Sequence, residues 1–149
     1  KALSNTKTIS SGTNPLYKNF TKTVQVQSEL SVQNNSITDY DLNFTTTDLP
    51  VTENTGSSSN TCLLKDENGT IISGALSESS GSSSTNSAQS FTCKFSKDDF
   101  LKIVTLKISE IKITTAGKEA LIPVDQNFRA VISNQAATIL SRFKANNAD

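Results

Sequence analysis

The sequence predicts an all-β fold, an antiparallel β-sandwich of about seven or eight short strands with a short C-terminal helix. Three observations predict it. Apolar residues recur at every second position through several short stretches, as half-buried strands require. Turn-forming residues interrupt those stretches roughly every ten residues. The 149 residues are also rich in Ser, Thr and Asn, with 34% hydrophobic and 19% charged residues, so the Ala, Leu, Glu and Lys runs of a helical bundle are missing. A chain of this length buries one core and does not divide comfortably into two.

Residues 1–20 are polar and aperiodic, with a turn signal at Asn14-Pro15, and are read as a lead-in or linker. A single domain is expected over residues 21–149. Val24, Val26, Leu30 and Val32 share one face of a strand, with Gln25, Gln27, Glu29 and Ser31 on the other. Asn34-Asn35 supplies a turn, and Tyr40, Leu42 and Phe44 then alternate with Asp39, Asp41 and Asn43, completing a hairpin. Residues 48–60 are small and polar with Pro and Gly, and are read as an exposed, flexible connection. Cys62, Leu63 and Leu64, the turn residues 66–69 ending in Asn-Gly, and Thr70, Ile71 and Ile72 form a second hairpin signature. Residues 73–90 are Ser-rich and free of periodicity, and are read as a mobile loop.

Order resumes where Phe91, Cys93 and Phe95 alternate with Thr92 and Lys94. Ser96 followed by Asp98 and Asp99 marks the cap of one helical turn. Val104, Leu106 and Ile108 share a strand face, while Ile111 and Ile113 fall in the opposite phase, which calls for a β-bulge near Ser109. Leu121, Ile122 and Val124 suggest a further strand, which Pro123 places at an edge or a strand end. Phe128, Ala130 and Ile132 suggest another. After Asn134, a suitable cap, Ala136, Ile139, Leu140 and Phe143 lie at helical spacing and predict the short amphipathic helix.

The run LLKDENGTII, a polar insert, SFTCKFSKDDFLKIVTLKISEIKI and EALIPV, spanning residues 63–124, resembles immunoglobulin-like ectodomain modules of bacterial cell-envelope proteins. Those of anti-sigma-factor-like membrane proteins of low-GC Gram-positive bacteria are the most similar. The matching features are the hairpin at residues 66–69, the aromatic positions Phe91 and Phe95, and the strand over residues 106–113, and with residues 23–46 the likeness covers about two thirds of the chain. It implies an immunoglobulin-like sandwich, exposed at the envelope and without catalysis, and it transfers no functional residues.

Lys plus Arg and Asp plus Glu number 14 each, so no basic field attracts nucleic acid or anionic lipid. No stretch approaches the roughly 18 apolar residues of a membrane span. The chain opens on Lys1, and the expectation is that a signal peptide or membrane anchor preceded it. The absence of His removes the usual general base and commonest metal ligand. Without His, a lysine dyad or a G-x-S-x-G elbow, no Ser or Thr is marked as a nucleophile. No catalytic residue, cofactor or metal is therefore expected.

Cys62 and Cys93 each share a face with core residues and are read as a disulfide, the alternative being two buried thiols acting as small hydrophobes. Carboxylates at Asp39, Asp41, Asp66, Glu67, Asp98 and Asp99 are candidate calcium ligands, but solvated strand charge, hairpin geometry and a helix start account for them first. Asn19, Asn34, Asn43 and Asn68 satisfy the N-x-S/T pattern, as expected by chance in so Asn- and Thr-rich a chain. An intramolecular isopeptide bond between Lys and Asn needs a buried triad that the sequence does not single out. The function expected is a non-enzymatic extracytoplasmic binding or sensory module of a cell-envelope protein, partnered by another envelope protein or an extracellular ligand. The alternative is a structural subunit of a surface fibre, pilus or surface layer, whose residues 1–20 complete a neighbour's sheet.

Overall fold

The computed structural model describes residues 6–19, 22–47, 52–54, 60–79, 89–115 and 117–147. Within them the chain forms β1 (Thr6–Ser10), β2 (Asn14–Asn19), β3 (Lys22–Gln33), β4 (Ser36–Thr47), β5 (Thr52–Asn54), β6 (Thr61–Asp66), β7 (Ile71–Ser79) and β8 (Gln89–Phe95). Helix α1 (Lys97–Ile103), β9 (Ile108–Thr115), β10 (Gly117–Pro123), a 3-10 turn (Gln126–Phe128) and helix α2 (Val131–Asn147) follow. The ten strands among the described residues join one sheet in the order β1, β3, β4, β8, β7, β6, β9, β10, β5, with β2 also on β3. The antiparallel all-β fold with a C-terminal helix is the one the sequence predicts. The described strands lie in one continuous hydrogen-bonded ladder, so the separate sheets of an immunoglobulin-like sandwich are not present as separate ladders. Alternation tells which face of a strand is buried, not which strands are neighbours.

The period of two runs through the long central hairpin. Val24, Val26, Leu30 and Val32 of β3 and Tyr40, Leu42 and Phe44 of β4 are buried, and Ser28 and Thr46 sit in the same inward phase. The turn uses Asn34 and Asn35 at φ 53° and 66°, the left-handed pair that a two-residue hairpin needs for its twist to match the strands. At the second hairpin Gly69 donates to the Asp66 carbonyl at 2.9 Å with φ +93°, so the glycine takes the one left-handed position of a type I turn followed by a bulge. The expected irregularity at Ser109 is also present: Lys65 faces Glu110 and Asp66 faces Ile108, leaving Ser109 without a partner residue across the ladder.

Several elements depart from their sequence reading. Residues 6–10 and 14–19 are strands on β3 rather than part of a lead-in, because β3 exposes a full edge of donors and acceptors that an otherwise weak strand former satisfies. Residues 73–79, expected in the Ser-rich loop, continue β7 between β6 and β8. Residues 52–54, expected in the 48–60 loop, pair with β10 as β5. Residues 48–51, 55–59 and 80–88 of the two expected loops lie outside the described residues. Helix α1 is seven residues long rather than one turn, and Val104 is its C-cap rather than the start of a strand. Phe128, Ala130 and Ile132 belong to the 3-10 turn and the entry of α2, which is 17 residues long.

One apolar cluster draws on both ends of the sheet and both helices, including Val26, Leu64, Ile111, Ile122, Phe100 and Ile139. The sheet is curled around it. Asp125, just beyond β10, donates its backbone N–H to the Leu16 carbonyl of β2 at 2.7 Å, although β2 and β10 lie toward opposite ends of the strand order. Helix α1 closes the core beneath Tyr40, with Phe100 at a ring-centroid distance of 4.7 Å, and α2 lies across β3 and the β1–β2 edge. No described helix is long and apolar enough to cross a membrane.

Candidate functional site

Strand β3 is longer than either neighbour on its outer edge. β1 covers it up to Ser10 opposite Glu29, β2 takes over at Asn14 opposite Val26, and Ser11, Gly12 and Thr13 form the break. Such a break exposes ladder groups that must be satisfied. The Ser11 N–H still reaches the Ser28 carbonyl at 2.8 Å, and the Ser11 hydroxyl accepts the Ser28 N–H at 2.8 Å in place of a backbone carbonyl. The Val26 carbonyl is taken by the side chain of Gln135 from α2, at 3.0 Å.

Gln135 is 4% exposed, and its bonds fix the direction of a proton chain. Its Oε1 accepts only, so Ser28 Oγ donates to it at 2.8 Å. The Ser28 hydroxyl proton is thereby committed, and Tyr40 Oη, 2.7 Å away, donates to Ser28 Oγ. Burial pushes the Tyr40 phenol above its ordinary range, with the Ser28 bond opposing, which keeps that donor protonated. At the other end Gln135 Nε2 shares two hydrogens among Asn14 Oδ1 at 2.8 Å, the Val26 carbonyl and the Gly12 carbonyl at 3.2 Å. Asn14 therefore turns its oxygen to Gln135 and its NH2 group away from it.

Above this floor lies an open cleft of about 210 Å³ between the strand break and α2, lined by Gly12, Asn14, Asn134, Gln135, Thr138 and Arg142. The α2 residues are spaced at helical repeats and form one stripe. Arg142 donates from Nη1 to the Ser10 carbonyl at 3.0 Å, which fixes the guanidinium at one end of the cleft. Among the described residues no carboxylate pairs with it, and the side chains of Asn134 and Thr138, both exposed, make no hydrogen bond. The helix and its lead-in also seal the sheet edge, since the Ser10, Gly12 and Leu16 carbonyls accept from Arg142, Gln135 and Asp125 respectively.

Cys62 and Cys93 are both fully buried and both unbonded thiols. They face the same interior from β6 and β8, in side-chain contact, with β7 between them: Cys62 lies opposite Gly74 and Cys93 opposite Leu76. Burial, and then that contact, push the Cys93 thiol far up, so it stays protonated. The bridge expected from sequence is not formed here: the two cysteines are neighbouring thiols.

The remaining sequence candidates are dispersed. Asp66 is buried in the hairpin turn, accepting from the N–H groups of Lys107 at 2.9 Å and Asn68 at 3.2 Å, and Glu67 pairs with Arg129 at 3.0 Å. Asp98 and Asp99 sit in the first turn of α1, where Ser96 caps Asp99 as the sequence suggested. Asp39 approaches Lys94 at 3.9 Å on the outer face. Beside it Asp41 is held above the usual carboxylate range, by burial first, with Lys94 opposing and Asp39 and Glu29 adding to it. Among the described residues no group of three or more His, Cys, Asp or Glu side chains is arranged to hold a metal ion. Of the four N-x-S/T asparagines, Asn34 and Asn68 occupy turns, Asn19 ends β2, and Asn43 is held by Glu29 and Thr92 at 2.9 Å each.

Sequence reading passed over the cleft. Its traces there are Ser28, a polar residue in the inward phase of an otherwise apolar strand, and Asn14, marked only as part of a turn signal; Gln135 and Arg142 carry no local mark. Searches against family models, curated proteins and solved structures find no match to the chain.

Proposed function

We propose that this chain is a non-enzymatic, extracytoplasmic binding module of a cell-envelope protein, with its ligand seated in the cleft where α2 crosses the broken sheet edge. The observation that carries this reading is the cleft: the exposed side chains of Asn134 and Thr138, without hydrogen-bond partners among the described residues, beside an arginine with donors to spare, over a floor whose own hydrogen bonds are satisfied internally. A rigid floor with a few convergent polar groups is the common form of a small-ligand site. The groups are amides, hydroxyls and a guanidinium, which hold a ligand by hydrogen bonds rather than take or give its protons near neutral pH. Export is supported by the Ser-, Thr- and Asn-rich surface chemistry and by the resemblance to envelope ectodomain modules. The fibre-subunit alternative needs a free N-terminal strand to donate. Here β1 and β2 complete the chain's own sheet, and α2 occupies the Ser10 carbonyl at the end of β1 and the Gly12 carbonyl in the break, while Asp125 ahead of it takes the Leu16 carbonyl of β2.

A thermal-shift screen of envelope-derived small molecules and peptides, run alongside a broad hydrolase panel, tests the proposal. At a concentration about 100 times its Kd a ligand stabilises by about 2.7 kcal/mol, a shift of several degrees for a domain of this size. The expected result is stabilisation without turnover, lost in Thr138→Trp, which fills the cleft from an exposed helix position. Turnover, or stabilisation that Thr138→Trp leaves intact, refutes it.

A further inference from the structure

The hydrogen-bond polarity of the cleft floor also says what kind of ligand fits. Because Tyr40 donates to Ser28 and Ser28 to the oxygen of Gln135, the nitrogen end of Gln135 is turned toward Asn14 and holds its oxygen at 2.8 Å. Reversing the Asn14 amide would set two NH2 groups face to face, so its hydrogens are the end left over for the cleft. At the far end Arg142 uses one N–H, on the Ser10 carbonyl, of the five that a guanidinium carries. It has no acidic partner among the described residues, whereas Arg129, the other described arginine, is paired with Glu67. Of the polar side chains facing the space between, Asn134 and Thr138 are able to donate, and among the described residues no carboxylate lines the cleft. Hydrogen-bond donors at both ends, a cation tethered at one of them and no anion among the described residues form an electrostatic complement to a carboxylate, whose two oxygens match the planar fork of an arginine.

We infer that the cleft binds a carboxylate group, with Arg142 and the Asn14 amide as its principal donors. This inference rests on the binding reading above and adds the chemical class of the ligand. Two sources share that chemistry, a small free organic acid and the C-terminus of a peptide, and about 210 Å³ admits either a small acid or the last residues of a chain.

The test is an amide-resolved NMR titration of the intact chain at low ionic strength. The probes are acetate and its neutral isostere acetamide, free glutamate, and a short peptide with either a free or an amidated C-terminus. The expected result is a set of shifts centred on Gly12, Asn14, Thr138 and Arg142 that appears with the carboxylates and not with acetamide or the amidated peptide. Glutamate binding alone identifies a small acid, and preferential binding of the free-ended peptide identifies a C-terminus. Asn14→Asp keeps the oxygen that Gln135 bonds and replaces the NH2 by a second oxygen, so it is expected to weaken carboxylate binding at least about tenfold with the fold intact. Arg142→Lys retains the charge but not the fork, and is expected to weaken it less than Arg142→Gln does. Equal binding of acetamide and acetate, or carboxylate binding unchanged in Asn14→Asp, overturns the carboxylate assignment and leaves a binding cleft of another specificity. No shift in the cleft with any probe overturns the assignment, and the separate screen with Thr138→Trp then decides whether the binding reading survives.

Discussion

Gly74 carries no side chain because none fits: a Cβ built there lies 2.6 Å from Phe95 Cε1 and 2.8 Å from the Lys94 carbonyl oxygen. The Phe95 ring rests on the glycine, and the backbone contact cannot relax by rotating a side chain. Gly74→Ala is expected to cost about 1–3 kcal/mol, the usual range for overpacking, measured as a lower denaturation midpoint at unchanged m-value. Asp41 is a strain of another kind. Its Oδ1 is buried without a hydrogen-bond partner among the described residues, and the folded protein binds the carboxyl proton more tightly than the unfolded chain does. Stability from this group is therefore greatest at acid pH and is lost as pH rises above the ordinary value of 3.8. Asp41→Asn is expected to raise stability at neutral pH by less than about 1 kcal/mol, since solvent screens this partly open site. The advantage should vanish once both states are protonated, and equilibrium denaturation across that pH range measures it.

Between elements, the decisive contacts are polar groups that tie a turn to a distant segment. Asp66 holds the β6–β7 hairpin against Lys107, 41 residues away, at the bulge that starts β9. Asp66→Ala removes two accepted bonds and leaves the Lys107 N–H without its partner, for an expected loss of about 1–3 kcal/mol. Amide exchange at Lys107 should accelerate with it. The two cysteines show the same dependence on neighbours. Alternation correctly set both side chains inward, yet it carried no information that β7 runs between their strands. Both are expected to alkylate after denaturation without reductant, with no mass deficit of two hydrogens; resistance to alkylation shows instead that the two neighbouring thiols are bonded. The hairpin turns at Asn34-Asn35 and at Gly69, the Ser109 bulge and the Ser96 cap were legible because each is decided by residues adjacent in sequence. β7 was not, because Ser73, Gly74 and Ala75 have poor strand propensity and are held extended by ladders on both sides.

At the scale of the whole molecule, one helix completes what the sheet leaves open. Helix α2 places Ile132, Ala136 and Ile139 in the core, patches the break in the edge strand through Gln135, which bonds the Gly12 and Val26 carbonyls, and covers the Ser10 carbonyl of β1 through Arg142. An uncovered edge beside an exposed apolar face is an invitation to strand addition. Removal of residues 131–149 is therefore expected to abolish cooperative unfolding and to produce dye-binding, concentration-dependent aggregates. The intact chain should elute as a monomer by light scattering, and polymers from the intact chain favour the fibre reading instead.

By itself the sequence determined the fold class, the inward face of the central hairpin, its turn residues and the amphipathic stripe of the C-terminal helix. Those follow from periodicity and turn chemistry acting within a few residues. Only the tertiary structure decided that residues 6–19 close the edge of β3, that the described strands form one curled ladder, and that a cleft exists at all. The reason is separation along the chain: the bond that orients the cleft, from Ser28 to Gln135, joins residues 107 positions apart. Nothing in either residue's neighbourhood specifies the other. Their pairing is enforced by the cost of leaving a broken strand's polar groups unsatisfied inside a core.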